Sequence, residues 1–289
     1  MNFSVIVPTY NRLELLKKTL ESLFSQQLEG YEIIVVNDGS TDGTHEFLST
    51  LSAESRIRYC HHPNCGLAAS RRAGVNAARG TYVAFTDDDC VAPSDWLQKI
   101  EGHFRDERVA GIGGRAVTGN PSNLFAAAND MINEYLKSAV NRPGVIVPFL
   151  TGNNIAYRRD ILNRVGGPDR RFRMGAEDRD LLLRVVSAGG TIMFDPEITV
   201  IHYNDSNFRR FVKHQYDQGK GSHLYYKLHR HAAVSPRPLS LGVYWGMLVR
   251  PFRLHSFPRA TALSSLIIVA QLSVAAGYIA GMLAYAEGK

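Results

Sequence analysis

Cysteine is scarce in this sequence, acids are nearly missing from one long stretch, and charge of either sign is missing from another. Three cysteines, Cys60, Cys65 and Cys90, among 289 residues exclude a disulfide-stapled secreted fold and suit a reducing compartment. Cys60 and Cys65 bracket two histidines in CHHPNC, but the spacing fits no common zinc module and no second ligand pair is near, so the segment reads as a loop. No G-x-G-x-x-G follows the first apolar run, which disfavours a dinucleotide-binding oxidoreductase. Met1, Asn2 and Phe3 lead straight into that run, without the basic region and apolar core of a signal segment, so the main domain is expected in the cytoplasm.

The shortage of acids is local. Between Ser206 and Arg259 ten lysines and arginines face the single acid Asp217, while the whole chain carries only +6. Such a block suits phosphates, either of nucleic acid or of anionic lipid headgroups. The following residues favour lipid, because Ala260 to Ala286 contains no charge and about 20 apolar residues suffice to span a bilayer as a helix. Ser264, Ser265, Gln271 and Ser273 interrupt the run, which leaves a buried or interfacial helix open. Leu239 to Val249 is apolar but too short to span, and suits an interfacial helix or one arm of a hairpin. If the last helix spans once, Arg250, Arg253 and Arg259 stay cytoplasmic and Lys289 lies across the bilayer. Ser273, Gly277 and Gly281 repeat every four residues and offer a close-packing face to another helix, including one from a second copy of the chain.

The first hundred residues alternate two periodicities. Ser4 to Pro8, Glu32 to Asn37, Arg56 to Tyr59 and Thr81 to Phe85 read as short strands. Between them, Leu13, Leu16, Leu20, Leu23 and Phe24 share one helical face, with Asn11 and Glu14 spaced as a capping box. A second helix buries Phe47, Leu48 and Leu51, and a third runs from Leu67 to about Ala78. This alternation predicts an α/β fold with a Rossmann-like, mainly parallel sheet flanked by helices, and ligands beyond the carboxyl ends of its strands. Later, Val109 to Val117 and Asn153 to Arg159 read as strands, and Ala176 to Gly190 as a helix stopped by glycine. The shift in composition after His202 divides the chain into a main domain over 1–205, a basic helical or interfacial segment over 206–259, and a membrane-associated helix over 260–289.

Thr9, Asp38 and the triplet Asp87, Asp88 and Asp89 each follow the end of a predicted strand, so they converge on one sheet edge. Three neighbouring carboxylates repel one another, and a divalent cation is the first candidate to sit on them. The alternative is a solvated turn, with Ser94 capping a helix that begins at Asp95.

In order along the chain, SVIVPTYNR, IIVVNDGSTDGT, GLAASRRAG, RGTYVAFTDDD, TGNN and AEDRDLLLRV resemble the motifs of family 2 glycosyltransferases over roughly residues 3–205. The resemblance implies a GT-A fold, a nucleotide-sugar donor, inverting transfer and a divalent cofactor, Mn2+ or Mg2+. In its terms Asp87 and Asp89 resemble the DXD pair, with Asp89 the direct metal ligand and Asp87 nearer the ribose or a coordinated water. Asp88 has no assigned role, and His202 in ITVIH resembles a further metal ligand. Asp38 resembles the acid that accepts from N3–H of the base, which leans the donor towards UDP. Thr9 and Arg71 resemble other donor contacts, Arg71 being suited to phosphate by its charge and fork. Asp178 resembles the catalytic base, Glu177, Asn153 and Asn154 the acceptor side, and Asp180, Leu181 and Arg184 the rest of that motif. Acids at a helix start also serve as dipole partners, which keeps a structural role open for Glu177, Asp178 and Asp180. Arg72 and Thr86 depart from the common asparagine and leucine without touching a proposed ligand, and the absence of a QxxRW motif implies one sugar per encounter.

The expectation is a metal-dependent, inverting, non-processive glycosyltransferase at the cytoplasmic membrane face, acting on a glycan or lipid-linked acceptor in cell-envelope polysaccharide biosynthesis. A sugar nucleotidyltransferase would need a glycine-rich basic loop after the first strand, which PTYNR is not. Asp87, Asp89, Asp178 and His202 together disfavour a non-catalytic membrane-bound binder of nucleotide sugar or glycan, and the adjoining apolar run disfavours nucleic acid as the partner of the basic block.

Overall fold

Mainly apolar runs set the centre of the structure, because a strand covered on both faces takes a polar side chain chiefly where a hydrogen-bond partner meets it, as Ser4 Oγ does Glu32 Oε1 at 2.7 Å. All seven residues of β1 (Phe3–Thr9) and all seven of β2 (Tyr31–Asn37) are buried. The remaining strands are β3 (Ile57–His61), β4 (Tyr82–Thr86), β5 (Cys90–Val91), β6 (Val109–Thr118), β7 (Asn154–Arg158) and β8 (Thr191–His202). The helices are α1 (Leu13–Phe24), α2 (Thr44–Glu54), α3 (Leu67–Ala77), α4 (Trp96–Phe104), α5 (Leu124–Val140), α6 (Arg159–Arg164), α7 (Glu177–Ser187), α8 (Phe208–His229), α9 (Leu241–Leu254) and α10 (Phe257–Ala286). This computed structural model describes residues 2–54, 57–141, 149–173, 175–232 and 239–286, so Arg56 and Lys289, both named in the sequence reading, lie outside the described residues. Two units result, one of Met1–Val117, Ile146–Arg173 and Glu177–Tyr203, the other of Thr118–Val145, Met174–Ala176 and Asn204–Lys289.

The first unit is one eight-stranded sheet in the order β3-β2-β1-β4-β7-β6-β8-β5. The run β3-β2-β1-β4 is parallel, as the alternation requires, whereas β7 is antiparallel to both β4 and β6, and β5 to β8. Strand side chains alternate between two cores. Val5, Val7, Ile33 and Val35 pack with Leu16, Leu20 and Trp96 on one face, and Ile6, Ile34 and Val36 with Val75, Ile161 and Leu182 on the other.

Two expected caps are replaced. The N-cap of α1 is Arg12, whose side chain caps nothing, and Asp42 accepts from Leu13 N–H at 3.0 Å across the loop. Asn11 lies in the left-handed region at φ 53° and spends its Oδ1 on Thr41 N–H at 2.7 Å. Likewise α4 starts at Trp96 with Asp95 as N-cap, and Ser94 Oγ accepts from Gln27 Nε2 at 3.2 Å instead of capping. Gln26 Oε1 accepts from Leu97 N–H at 3.0 Å, so in both places a side chain distant in sequence supplies what local spacing promised.

The second unit is helical and takes α5 from inside the stretch assigned by sequence to the catalytic domain. The physical reason is burial, since Ala128 and Ile132 of α5 close an apolar cluster with Phe211, Met247, Leu263, Ile267 and Ala270. Within Phe257–Ala284, α10 contains an 18-residue stretch of mean hydropathy 2.0 and is long and apolar enough to cross a membrane by length and composition. Its small residues already have a partner in this chain. A Cβ on Gly277 would strike the Tyr216 carbonyl of α8, and one on Gly219 of α8 would strike the Val274 carbonyl of α10.

Candidate active site

The carboxyl ends of β1 and β4 deliver Thr9 and the acidic triplet to one place, and the last strand brings the histidine. In the β5–β8 ladder Cys90 stands opposite His202, which sets His202 Nε2 3.4 Å from Asp89 Oδ1. Asp89, Cys90 and His202 form a group whose ligand atoms lie within 4.8 Å of one another, the one such group found among the described residues. Burial and the neighbouring carboxylates push the Cys90 thiol well above its ordinary value, so it stays protonated and points its S–H at Asp89 Oδ1, 3.7 Å away. The oxygen of Asp89 and the imidazole nitrogen of His202 remain, a mixed pair whose nitrogen suits a transition ion such as Mn2+ better than oxygen-seeking Mg2+.

Arg12 holds the same carboxylates, and sequence reasoning missed it. Its Nη1 donates to Asp89 Oδ2 at 2.8 Å and to Asp88 Oδ1 at 3.1 Å. Burial would raise Asp89, but His202 and then Arg12 outweigh it and hold the carboxyl at about 2. Asp88 goes the other way: burial lifts it to about 7, the charges of Asp89 and Asp87 add to this, and Arg12 opposes. The signal for Arg12 was one basic residue just beyond β1, on the edge where the triplet arrives. The Thr9 hydroxyl is buried near Asp88 without a hydrogen bond of ordinary geometry, which leaves its bonding capacity open to a ligand.

Asp38 directly follows β2 and organises the next loop. Its two oxygens accept from the backbone N–H of Cys65 at 2.7 Å and of Gly66 at 2.9 Å, and His62 Nδ1 lies 3.2 Å away. Gly66 stands at φ 94° just before α3, where a Cβ would meet the Arg173 backbone. Asp38→Ala is therefore expected to cost about 1–2 kcal/mol in urea unfolding, apart from any effect on a bound base, because it orphans two amides of a helix start.

A second cluster surrounds Arg71, which is 4% exposed. Its Nη2 donates to Asp87 Oδ1 at 2.7 Å and its Nη1 to Glu177 Oε1 at 2.9 Å, so both ends of the fork expected on phosphate are held by carboxylates. Glu177 is raised to about 7, first by burial and then by the charge of Asp178, against the pull of Arg71. Gly152 packs on the guanidinium, which a Cβ would overlap, and its N–H reaches Asp178 Oδ2 at 3.3 Å. Asp178 Oδ1 accepts from Arg179 N–H at 2.8 Å. A cavity lined by Arg71, Phe85, Gly152, Tyr157, Glu177 and Asp178 opens here. Ala176, immediately before this acidic helix start, is held at φ 67°, a strained value for a residue with a Cβ. Asp180 grips Arg184 at 2.6 Å, and Arg184 Nη1 donates to the Val165 carbonyl, which fixes α7.

The two asparagines of TGNN part company. Asn153 Oδ1 accepts from Thr151 Oγ1 at 2.8 Å within the loop that touches Asp178. The structure does not bring the Asn154 side chain into the cavity. It is 1% exposed and spends its amide on Trp96 Nε1 and on the carbonyls of Arg115 and Ile198.

The sequence profile described as "Glycosyl transferase family 2" matches residues 4–166. The chain belongs to glycosyl transferase family 2. Among curated relatives of this chain, the pre-mycofactocin glycosyltransferase of Mycobacterium tuberculosis is 30% identical over 72% of this chain and 44% of its own. The chain thus spans less than half the length of that relative. Glycosyltransferase AglE of Haloferax volcanii is 27% identical over 86% of this chain and 82% of its own. Among solved structures, the mannosyltransferase PcManGT from Pyrobaculum calidifontis, in complex with GDP-Man and Mn2+, aligns with a TM-score of 0.65 at 18% identity, covering 94% of this chain and 86% of that one. TarS of S. aureus, residues 1–349, aligns with a TM-score of 0.59 at 17% identity, covering 100% and 92%. At these identities the likeness is one of fold, and it is the GT-A fold that the motifs implied.

Proposed function

We propose that this glycosyltransferase moves a single sugar, with inversion, from a nucleotide-sugar donor, UDP-linked by the lean of Asp38, to a hydroxyl of a glycan or lipid-linked acceptor at a membrane face, with Mn2+ or Mg2+ as cofactor. The observation that carries this reading is the buried chain Asp87–Arg71–Glu177, which ties the acidic triplet to the start of α7, where Asp178 opens into a cavity. The complexes of PcManGT with GDP-Man and Mn2+ and of TarS with UDP-GlcNAc support a nucleotide-sugar donor.

Asp178 takes the proton of the acceptor hydroxyl as that oxygen attacks the anomeric carbon from the face opposite the departing nucleotide. Gly152 N–H and Arg179 N–H orient its two oxygens, and Glu177 beside it, drawn to Arg71, keeps the pocket polar. Asp89 and His202 would hold the divalent ion, with Asp87 beside the ribose or a coordinated water. When bound, the ion neutralises charge on the leaving diphosphate. Thr9 offers its unspent hydroxyl to the donor. Asp89→Ala and His202→Ala are each expected to lower Mn2+ affinity at least ~10-fold in calorimetric titration in the presence of donor. Unchanged affinity in His202→Ala would make the histidine structural and move the site elsewhere. Donor turnover with Mn2+ in the wild-type protein separates this enzyme from a non-catalytic binder.

A further inference from the structure

The helix that reads in sequence as apolar all round is two-faced in the structure. Leu263, Ile267, Ala270, Gly277 and Gly281 of α10 are buried, while Ile268, Leu272, Ile279, Met282 and Leu283 lie on the opposite stripe, each about half exposed or more. α9 and its flanks expose Leu241, Trp245, Phe252, Leu254 and Phe257, so the large exposed apolar residues of this unit concentrate on these two helices. Three polar side chains of α10 are satisfied within the unit, while Ser265 is exposed. Ser264 donates to the Leu248 carbonyl at 2.9 Å, Gln271 to Met247 Sδ at 3.6 Å, and Ser273 to the Val269 carbonyl of its own helix at 2.7 Å.

The buried stripe of α10 lies along α8, and the two helices run in the same direction. Phe211 shares a cluster with Leu263 and Ile267, the glycines 219 and 277 bring the two backbones together, and a Cβ on Gly281 would touch His223. Over this length α8 carries the exposed Lys213, Lys220 and Lys227, and Asp217 paired with Lys213 at 2.6 Å. Were α10 to cross a bilayer, these charges would be drawn into the hydrocarbon beside it, where ionised side chains are strongly disfavoured. With α10 lying flat, α8 stays on the water side and the exposed apolar stripe enters the acyl boundary.

We infer that the exposed faces of α9 and α10 dock onto an anionic lipid bilayer with α10 in the membrane plane, making the second unit a monotopic platform. The inference refines the membrane part of the reading above and does not depend on the chemistry of the first unit. Lipid phosphate is the fitting partner because Arg250, Arg253 and Arg259 lie on α9 and at the start of α10, with no acid between Ser240 and Ala286. Arg250 and Arg253, one turn apart on α9, line a cavity of about 270 Å³ with Tyr135 and Trp245, the Arg250 guanidinium lying 5.7 Å from the Tyr135 ring centroid. Basic and aromatic groups at the end of an exposed apolar helix match a headgroup layer above acyl chains.

The protein carries its own probe. Of its two tryptophans Trp96 is 1% exposed and Trp245 is 68% exposed, so a change in emission on adding vesicles reports Trp245. The full chain should show a blue shift with phosphatidylcholine vesicles containing phosphatidylglycerol, much less with phosphatidylcholine alone, and a loss of binding at high salt. Nitroxides at Leu272→Cys, Ile279→Cys and Leu283→Cys, in a Cys60→Ser and Cys65→Ser background, then measure depth. A flat helix gives three equal depths, whereas a spanning helix separates the first and last by about 16 Å at 1.5 Å per residue. Graded depths would overturn the inference, as would absence of vesicle binding or retention of nucleic acid in place of anionic vesicles. None of these outcomes alters donor turnover, so failure here and failure of the catalytic reading are distinguishable.

Discussion

Asparagine in place of Asp178 is expected to slow sugar transfer by roughly 10²–10⁴-fold, the range that a positioned general base contributes. The amide keeps the shape of the carboxylate and one oxygen for the backbone donors, Gly152 N–H and Arg179 N–H, so the start of α7 should hold. What it loses is basicity, because an amide oxygen does not accept the hydroxyl proton at neutral pH. Asp178 stands apart from the Asp89, Cys90 and His202 group, so Mn2+ and donor affinities should stay within about twofold of wild type, a change small beside the tenfold worth 1.4 kcal/mol. A loss of rate without a loss of affinity is the signature of an interaction made in the transition state. The charge of Asp178 also lifts Glu177, so the variant should move the Glu177 titration downward from about 7. An Asp178→Asn protein that turns over donor and acceptor at the wild-type rate would place the base on another residue.

The largest stability effect should come from Arg71. Arg71→Ala leaves Glu177, 6% exposed, and Asp87 facing each other across the space of a deleted cation, and removal of one partner from a buried ionic network costs about 3–5 kcal/mol. Lysine should rescue little, since a single ammonium cannot repeat a fork that reaches two carboxylates. The pH dependence has a definite sign. Glu177 has a folded pKa of about 7 above its ordinary 4.5, so its contribution to stability is present below 4.5 and fades as pH rises through about 7. Without Arg71 its pKa goes higher still, and the deficit of the variant should be smallest below pH 4.5 and largest above pH 7. Urea unfolding at both ends of that window measures this, and Glu177→Gln added to Arg71→Ala should recover part of the loss on the alkaline side. A deficit independent of pH would show that Arg71 acts through packing on Phe85 and Gly152 and not through charge.

Local pattern made the parallel half of the sheet legible. The runs ending at Pro8, Asn37 and Phe85 are short, apolar and β-branched, and buried strands leave that trace whatever surrounds them. The same runs placed Thr9, Asp38 and the triplet on one edge. Contacts between residues far apart in sequence were not legible. Arg12 meets Asp88 and Asp89 only because β1 and β4 are neighbours, and its place just beyond β1 was the one mark of a carboxylate partner in PTYNR. Asn11 and Glu14 had the spacing of a capping box, but Asp42 reached the first amide of α1 from another loop and left Asn11 to a strained turn. The asparagine pair of TGNN looked uniform, yet strand alternation turns Asn154 into the sheet and leaves Asn153 in the loop. The glycine stripe of α10 was visible as a packing face, while the choice of α8 as its partner depended on tertiary folding.

The ladder between β5 and β8 has a consequence for the order in which this enzyme matures. β5 has only two residues, and Cys90 opposite His202 is one of its two pairings, so the histidine finds Asp89 by strand register alone. Because side chains alternate along a strand, a slip of one residue would send His202 to the far face and put Ile201 in its place. The two halves of the proposed ion site, Asp89 and His202, are far apart in sequence, and closing so long a loop is among the last and slowest events of folding. Ion affinity should therefore emerge late in refolding, after the parallel strands have gained protection from hydrogen exchange. A divalent ion present during refolding would act as a latch on the finished register, capturing chains in which the final strand has zipped correctly and leaving slipped ones to reopen.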